Sequence, residues 1–288
     1  MPELPEVETV RRGLQERVVG RTITAVAVTH PRAVRRQAGG AAQFEAEAAG
    51  ATVTATGRRG KYLWLTLSGT DRVLVAHLGM SGQFRVQGEA AGDDEDPHVR
   101  VRWSLDDGST LVFRDQRTFG WVLCDGWAGE VPDSVSHIAR DPFDPRFDPA
   151  TTGRAIRRSR SGIKRILLAQ TYVSGVGNIY ADEALWRAGL HPEHPGDRLR
   201  SQRVGQVLAA ATDVMTEALA AGGTSFDPLY VAVNGESGWF DRQLEAYGRQ
   251  GQPCGRCGAP IVREQFTNRS SHRCPRCQRP PRSRPRSG

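Results

Sequence analysis

Lysine is almost missing from this chain of 288 residues: of its 39 basic side chains only Lys61 and Lys164 are lysines, and the rest are arginine. The formal charge of +7 is therefore carried by guanidinium groups, whose planar forks suit phosphate and other planar anions. That balance suggests an anionic polymer as partner, although a GC-rich coding bias enriches arginine in the same way. Long apolar runs are missing too. No stretch approaches the ~18 residues that a membrane span requires, and no basic-then-apolar leader opens the chain. These absences exclude an integral helical membrane protein and set the expectation of a cytoplasmic protein with no membrane partner. Cysteine is scarce, five in all, and with 38% hydrophobic residues the chain has enough apolar material to bury the cores of two domains without a disulfide framework.

The opening "MPELPEVE" reads first as a helix start. Proline is tolerated in a first helical turn, and acidic side chains there meet the positive end of the helix dipole. Leu4, Val7, Val10, Leu14 and Val18 then recur at helical spacing. From about 22 to 125 the pattern changes to short strands, "TITAVAVTH", "KYLWLTL", "RVLVAHL" and "HVRVRWSL", separated by Gly and Asp clusters. An antiparallel sandwich is expected, with the acidic loop Asp93 to Asp96 solvated and without chemistry. The Asp- and Pro-rich "ARDPFDPRFDPATT" looks like an interdomain linker. Beyond it "IKRILLAQ", "ADEALWRAG" and "SQRVGQVLAAATDVMTEALAAGG" have helical period, and "QRPPRSRPRSG" ends the chain as a flexible basic arm.

Four of the five cysteines form "CGRC" (Cys254, Cys257) and "CPRC" (Cys274, Cys277), with sixteen residues between the pairs. Two such knuckles suit a tetrahedral zinc with four thiolate ligands. A closed four-sulfur shell leaves no place for a substrate water, so the one Zn2+ expected here is structural. The intervening segment carries Arg263, Arg269 and Arg273, which suit phosphate contacts or a solvated turn equally well. Cys124, in an apolar strand, reads as a small buried hydrophobe. Between two helical patterns, "QTYVSGVGNIYADEALW" places Gly175, Gly177 and Asn178 where a tight turn is needed, with Asn178 expected as the helix cap.

Taken together, "PELPEVETVRRGL", "GRRGKYL", "HLGMSGQF", "DQRTFG", "SGVGNIYADEAL", "GGTSF", "YGRQG" and the terminal cysteine pairs resemble the bacterial formamidopyrimidine-DNA glycosylases, in the same order along essentially the whole chain. The resemblance implies an α+β protein: an N-terminal helix plus antiparallel β-sandwich, then a helical helix-two-turns-helix domain with a C-terminal β-hairpin zinc finger. It implies the divisions 1–135 (catalytic helix and sandwich), 136–155 (linker), 156–245 (DNA-binding helices with a lesion loop), 246–278 (zinc finger) and 279–288 (basic tail). The implied partner is damaged double-stranded DNA, bound by a monomer.

By the same resemblance, Pro2, freed by removal of Met1, is the nucleophile that attacks the sugar C1′. Its α-amine, with a pKa near ~8, is partly neutral at physiological pH. Glu3 is the general acid and base, Glu6 a supporting residue, and Lys61 and Arg269 contact phosphates beside the lesion. Met80, Arg117 and Phe119 fill the vacancy left by the extruded base: two apolar wedges and a donor for the acceptor edge of an orphaned cytosine. His77, Asn178 and Tyr247 meet further phosphates, and Thr224 and Ser225 lie in the loop that folds over the lesion. An amine nucleophile yields an iminium, so elimination of the 3′ and then the 5′ phosphate follows base removal. One departure stands out, because Ala169 takes the place of the family's usual acidic residue and removes local helix support.

Two alternatives remain at the level of sequence. The endonuclease VIII branch shares this chemistry but takes oxidised pyrimidines; "PELPEVE" and "QRTFG" look more like the purine-specific branch. A noncatalytic zinc-finger DNA-binding protein would have lost Pro2, Glu3 or Lys61, and all three are present.

Overall fold

The computed structural model describes residues 2–88, 96–223 and 243–281. Thr224 and Ser225, Met1, most of the acidic loop and most of the basic tail lie outside the described residues. The chain divides into two compact units, one built on the residues up to His137 together with the described residues from Leu219 to Gly223, and the other on Ile138–Ala218 with the cysteine-rich C-terminal segment.

The first unit begins with helix α1 (Leu4–Arg17), whose stripe of Leu4, Val7, Val10 and Leu14 is at most 1% exposed. Burial of that stripe holds the helix, since each such side chain contributes roughly 1.5–3 kcal/mol when removed from water. Two four-stranded antiparallel sheets follow. One orders β1 (Ile23–Val28), β6 (Val99–Leu105), β7 (Thr110–Asp115) and β5 (Gly82–Gln87). The other orders β2 (Val53–Arg59), β3 (Tyr62–Leu67), β4 (Arg72–His77) and β8 (Trp121–Gly126). Phe84, Trp103 and Phe113 from the first sheet and Leu63, Leu65, Leu74 and Val122 from the second share one core. Helix α2 (Gly40–Ala48), which the strand-like reading of this region passed over, buries Phe44 against Trp103.

Register decides what this sandwich presents. Tyr62, His77 and Trp121 are neighbours across β3, β4 and β8. The turn carrying Lys61, the connection carrying Met80 and the connection carrying Arg117 and Phe119 therefore leave the sheets beside one another. Gly60 (φ +57°) permits the first turn and Gly79 (φ +61°) the second. A Cβ on Gly79 would lie 2.4 Å from the backbone N of Gly120, so glycine is also what lets these two connections touch.

The second unit contains α3 (Pro149–Ile156), α4 (Ile163–Leu168), α5 (Asn178–Arg187), α6 (Ser201–Ala220) and the hairpin β9 (Val262–Phe266) and β10 (Arg269–Arg273). The Asp- and Pro-rich stretch is not featureless: Asp148 caps α3 by accepting from the Ala150 N–H at 2.8 Å, and Asp141 is buried. The cap of α5 is Gly177 rather than Asn178, which is the first helical residue. Gly177 adopts the extended conformation that the cap requires, and the Asn178 side chain turns to other work.

Candidate active site and nucleic-acid interface

Pro2 and Glu3 sit buried at the tip of α1, and Glu6, one turn on, is only 3% exposed. Glu3 and Glu6 form a reciprocal capping box, in which the Glu3 N–H donates to Glu6 Oε2 at 2.8 Å and the Glu3 carboxylate accepts from the Glu6 N–H. Glu6 is thus no ordinary surface helix residue. It fixes the peptide that joins Glu3 to Pro2. Gly223 (φ +93°) packs onto it so closely that a Cβ there would stand 3.3 Å from Glu6 Cγ.

Lys61 is 6% exposed, at a turn braced from α1. Arg58 donates to the Gly60 carbonyl at 3.0 Å and to Glu8 at 3.0 Å, and Glu8 also takes Arg11. Burial alone would raise the Glu8 carboxyl, yet Arg11 and Arg58 hold it down at about 2. His77 lies between the rings of Tyr62 and Trp121, with centroids 4.9 Å and 6.0 Å away. Burial first, then Lys61, Arg36 and Arg35, push its pKa down to about 4. Its Nδ1 accepts from the Gly79 N–H at 3.1 Å, which places the proton on Nε2. His77 is therefore a neutral donor, not the cation that a phosphate contact by histidine first suggests.

Met80 and Phe119, 38% and 44% exposed, are the large apolar side chains that stand out into solvent among the described residues. Arg117 lies between them in sequence, its guanidinium 5.3 Å from the Phe119 ring centroid and without a hydrogen-bond acceptor among the described residues. Thr118, with φ +55°, turns the chain between the two side chains. Buried Asp115 organises this loop. Its carboxylate accepts from Ser81 Oγ at 2.5 Å, from the Arg117 N–H at 3.2 Å and from the Gly120 N–H at 2.6 Å.

In the second unit, Asn178 donates to the Ser270 carbonyl at 3.0 Å, and Lys164 Nζ reaches the same carbonyl at 3.1 Å. Lys164 also pairs with Asp182 at 2.6 Å, both side chains fully buried. Asp182 takes in addition Ser271 Oγ at 3.0 Å and the His272 N–H at 2.8 Å. Its neighbour Glu183 accepts three consecutive backbone N–H groups, of Glu245, Ala246 and Tyr247, at 3.0, 2.8 and 2.8 Å. Burial raises the Glu183 carboxyl, and those three donors are what it holds in exchange. Two adjacent acids of α5 thus fasten the hairpin and the segment carrying Tyr247. Gln170 (φ +59°) clasps the glycine turn, donating to the Val176 carbonyl at 2.8 Å and accepting from the Gly175 N–H at 2.9 Å.

The four sulfurs of Cys254, Cys257, Cys274 and Cys277 lie within 4.8 Å of one another. Tetrahedral zinc with sulfurs at ~2.3 Å separates them by roughly 3.8 Å, so the donor set fits that ion. Trp186 Nε1 donates to Cys254 Sγ at 3.4 Å, joining the cluster to α5. Of the hairpin arginines, Arg273 is taken by Glu264 and Arg263 by Ser270 Oγ at 2.8 Å, whereas Arg269 is exposed and makes no side-chain hydrogen bond or ion pair among the described residues.

Asp115, Lys164, Asp182 and Glu183 escaped the sequence reading because each works through a distant partner, such as Ser81, Ser270, Ser271 or Ala246, whereas Gln170 closes a local turn that no periodic pattern marks. The sole hint was that acids and a lysine stood inside otherwise buried segments.

The chain is similar to known proteins along nearly all of its length. The profile of the formamidopyrimidine-DNA glycosylase N-terminal domain matches residues 1–122, that of the formamidopyrimidine-DNA glycosylase H2TH domain matches 138–228, and a zinc finger found in FPG and IleRS matches 251–280. Formamidopyrimidine-DNA glycosylase of Mycobacterium avium is 58% identical over 286 residues, covering 98% of this chain and all of its own length; that of Nocardia farcinica is 57% identical over 298 residues, covering 99% and 100%. Among solved structures, a Lactococcus lactis FPG mutant in complex with a Fapy-dG containing DNA superposes with a TM-score of 0.85 at 34% identity, over 97% of this chain and all of that one. MutM (FPG) from Thermus thermophilus gives 0.84 at 36% identity, over 96% and 98%. With its N-terminal helix and sandwich, its helical turn and its four-cysteine hairpin all accounted for, the chain belongs to the formamidopyrimidine-DNA glycosylase family.

Proposed function

We propose that the protein is a base-excision repair enzyme that removes oxidised purines, 8-oxoguanine and formamidopyrimidines, from duplex DNA and then cleaves the abasic site. The relatives' names and their DNA complexes support the reaction class. The observation in this chain that carries the reading is the exposed Met80 and Phe119 flanking an Arg117 whose guanidinium has no hydrogen-bond acceptor among the described residues, on the same unit as the buried Pro2 and Glu3. Exposed apolar wedges beside a vacant donor fit insertion into a base stack.

In this reading Met1 is removed and the secondary amine of Pro2 attacks C1′, while Glu3 gives a proton to the opening sugar ring. The base leaves as the C1′–N bond breaks. The resulting iminium acidifies the adjacent sugar protons, so the 3′ phosphate is eliminated and then the 5′ phosphate. Lys61, Arg269, His77, Asn178 and Tyr247 hold backbone phosphates, Arg117 meets the orphaned cytosine, and Thr224 and Ser225 belong to the lesion loop. Glu6 supports Glu3. The zinc of Cys254, Cys257, Cys274 and Cys277 would keep the hairpin rigid, so that Arg269 is held at a fixed point. The divisions proposed are 1–135, 136–155, 156–245, 246–278 and 279–288. A monomer working on bacterial DNA in the cytoplasm completes the reading.

Borohydride trapping on a duplex with 8-oxoguanine opposite cytosine tests it. A covalent adduct is expected from the chain with Met1 removed and none from Pro2→Gly or from chain that retains Met1. An adduct surviving both changes would overturn the assigned nucleophile.

A further inference from the structure

Of three arginines after β1, Arg35 and Arg36 have entered the site so far only through the field they place on His77, and Arg32 not at all. Arg32, Arg35 and Arg36 lie on and just beyond a short 3-10 turn (Pro31–Val34), all exposed. Arg35 is forked over the loop that carries Arg117 and Phe119: Nη1 donates to the Gly120 carbonyl at 2.6 Å and to that of Arg32 at 2.8 Å, and Nη2 to the Phe119 carbonyl at 2.8 Å. Arg32 Nε donates to the Thr118 carbonyl at 3.3 Å. The Arg36 guanidinium lies 4.1 Å from the ring centroid of Trp121. The trio therefore grips four consecutive residues, Thr118 to Trp121.

The partners are carbonyls and a ring. Among the described residues no carboxylate forms an ion pair with any of the three, whereas other arginines of this protein do have one: Arg21 with Asp107, Arg165 with Glu193, Arg187 with Glu217. The terminal fork of Arg32 and the N–H groups of Arg36 have no acceptor among the described residues. Crowding is real, since the Arg35 pKa is lowered by burial and then by Arg32 and Arg36. Arg32 and Arg36, guanidinium groups with N–H groups left over and, among the described residues, no carboxylate in ion-pair contact, stand next to exposed Phe119 and have the chemistry of a backbone-phosphate site.

We propose that Arg32 and Arg36 each hold a backbone phosphate of the duplex and that Arg35 ties these contacts to the loop bearing Arg117 and Phe119. The proposal rests on the reading of the protein as a duplex-binding glycosylase. It makes backbone contact and wedge insertion one event, because the arginines that meet phosphate also hold the carbonyls behind the wedge. Arg35 is then a positioning residue.

The test is the salt dependence of affinity for a duplex containing a tetrahydrofuran abasic analogue, which requires no chemistry. Each lost phosphate contact removes about 0.9 from the slope of log K against log salt. Arg32→Gln and Arg36→Gln are each expected to flatten the slope by about one unit, so that going from 50 to 200 mM salt costs each variant about threefold to fourfold less affinity than wild type loses. Arg21→Gln removes the same charge from a paired site and calibrates the general field; slopes equal to that of Arg21→Gln would overturn the phosphate site. Arg35→Lys keeps the charge but cannot fork across two carbonyls. It should keep the wild-type slope while lowering the fluorescence of a 2-aminopurine placed opposite the abasic analogue, which reports wedge insertion. Wild-type fluorescence in Arg35→Lys would overturn the tie. Wild-type capture by borohydride on 8-oxoguanine duplex is read separately, so a failure there counts against the glycosylase reading and a failure of the slopes against this one.

Discussion

Asp115 accepts the backbone N–H of Gly120 at 2.6 Å, closing the five-residue loop that holds Arg117 and Phe119 into a ring. The same fully buried carboxylate takes Ser81 Oγ and the Arg117 N–H, so one anion ties the loop to the connection that carries Met80. Asp115→Asn offers an N–H where these groups already donate, and at least one buried donor is left without an acceptor. A loss of about 2 kcal/mol in urea unfolding is expected, since hydrogen bonds to charged groups contribute about 1.5–3 kcal/mol. Base release in single turnover should fall by up to about a hundredfold, because a misplacement of about 1 Å can have that scale of effect. Wild-type release by Asp115→Asn would show that the wedge needs no such anchor.

His77 gives the protein an acid-sensitive window. Unfolded histidine protonates near 6.5, whereas folded His77 stays neutral until about 4. Between these values the unfolded chain binds more protons, so stability falls as pH drops from about 6.5 and the loss levels off near 4. The full effect is roughly 3 kcal/mol at most. Glu8, held down at about 2, acts in a lower window: its contribution is present above about 4.5 and is lost as pH falls toward 2. Urea melts at pH 7 and pH 5 should show wild type losing more stability than His77→Gln. Equal losses would mean that His77 is protonated in the folded state.

The α1 stripe, the two-unit order and the paired cysteines were legible in the sequence because each is a local pattern: one helical period, a change of period, a fixed spacing. Leu4, Val7, Val10, Leu14 and Val18 are all buried as that period demands. Helix α2 was not legible, since "GAAQFEAEA" offers one large apolar side chain, Phe44, and no repeat of it. The exposure of Met80 and Phe119 was legible only through resemblance, because an apolar residue beside glycines packs inward as readily as outward. The buried Lys164 and Asp182 pair joins segments through Ser270, 106 and 92 residues from Lys164 and Asn178, and no local pattern carries such a contact. Asn178 lies one position past the cap expected from its residue type, because Gly177 takes the extended backbone there and the Asn178 amide reaches the hairpin instead.

Metal removal should act on one unit first. The four sulfurs have no substitute for the ion, and the cysteine-rich segment is fastened to α5 at separate points, Asp182 holding His272 of the hairpin, Glu183 holding Ala246 and Trp186 holding Cys254, rather than by a large core of its own. Titration of the thiols with a mercurial should release one zinc per chain and abolish duplex binding. Binding retained after release would assign the hairpin a role other than presenting Arg269. With zinc in place, Arg269→Ala should flatten the salt dependence of binding by about one unit of slope, and an unchanged slope would remove Arg269 from the phosphate contacts.

The capping box at the tip of α1 separates what Glu3 and Glu6 do. Glu6 accepts the N–H of the peptide that follows Pro2, so in the proposed mechanism it would act on the Pro2 amine through the backbone, while Glu3 is the residue next to that amine in sequence. Glu6→Gln keeps an acceptor oxygen at that position and should lose only part of the wild-type trapping rate. Glu6→Ala leaves the Glu3 N–H without its acceptor, at a cost of about 1 kcal/mol in stability, and should slow trapping by about tenfold without moving its pH profile. Glu3→Gln removes the proton donor and should abolish base release while leaving abasic-duplex affinity in place. The ordering Gln above Ala at position 6 is the informative outcome: if Glu6→Gln is as slow as Glu6→Ala, the carboxylate charge of Glu6 rather than its hydrogen bond is what the amine requires, and Glu6 joins Glu3 in moving the proton.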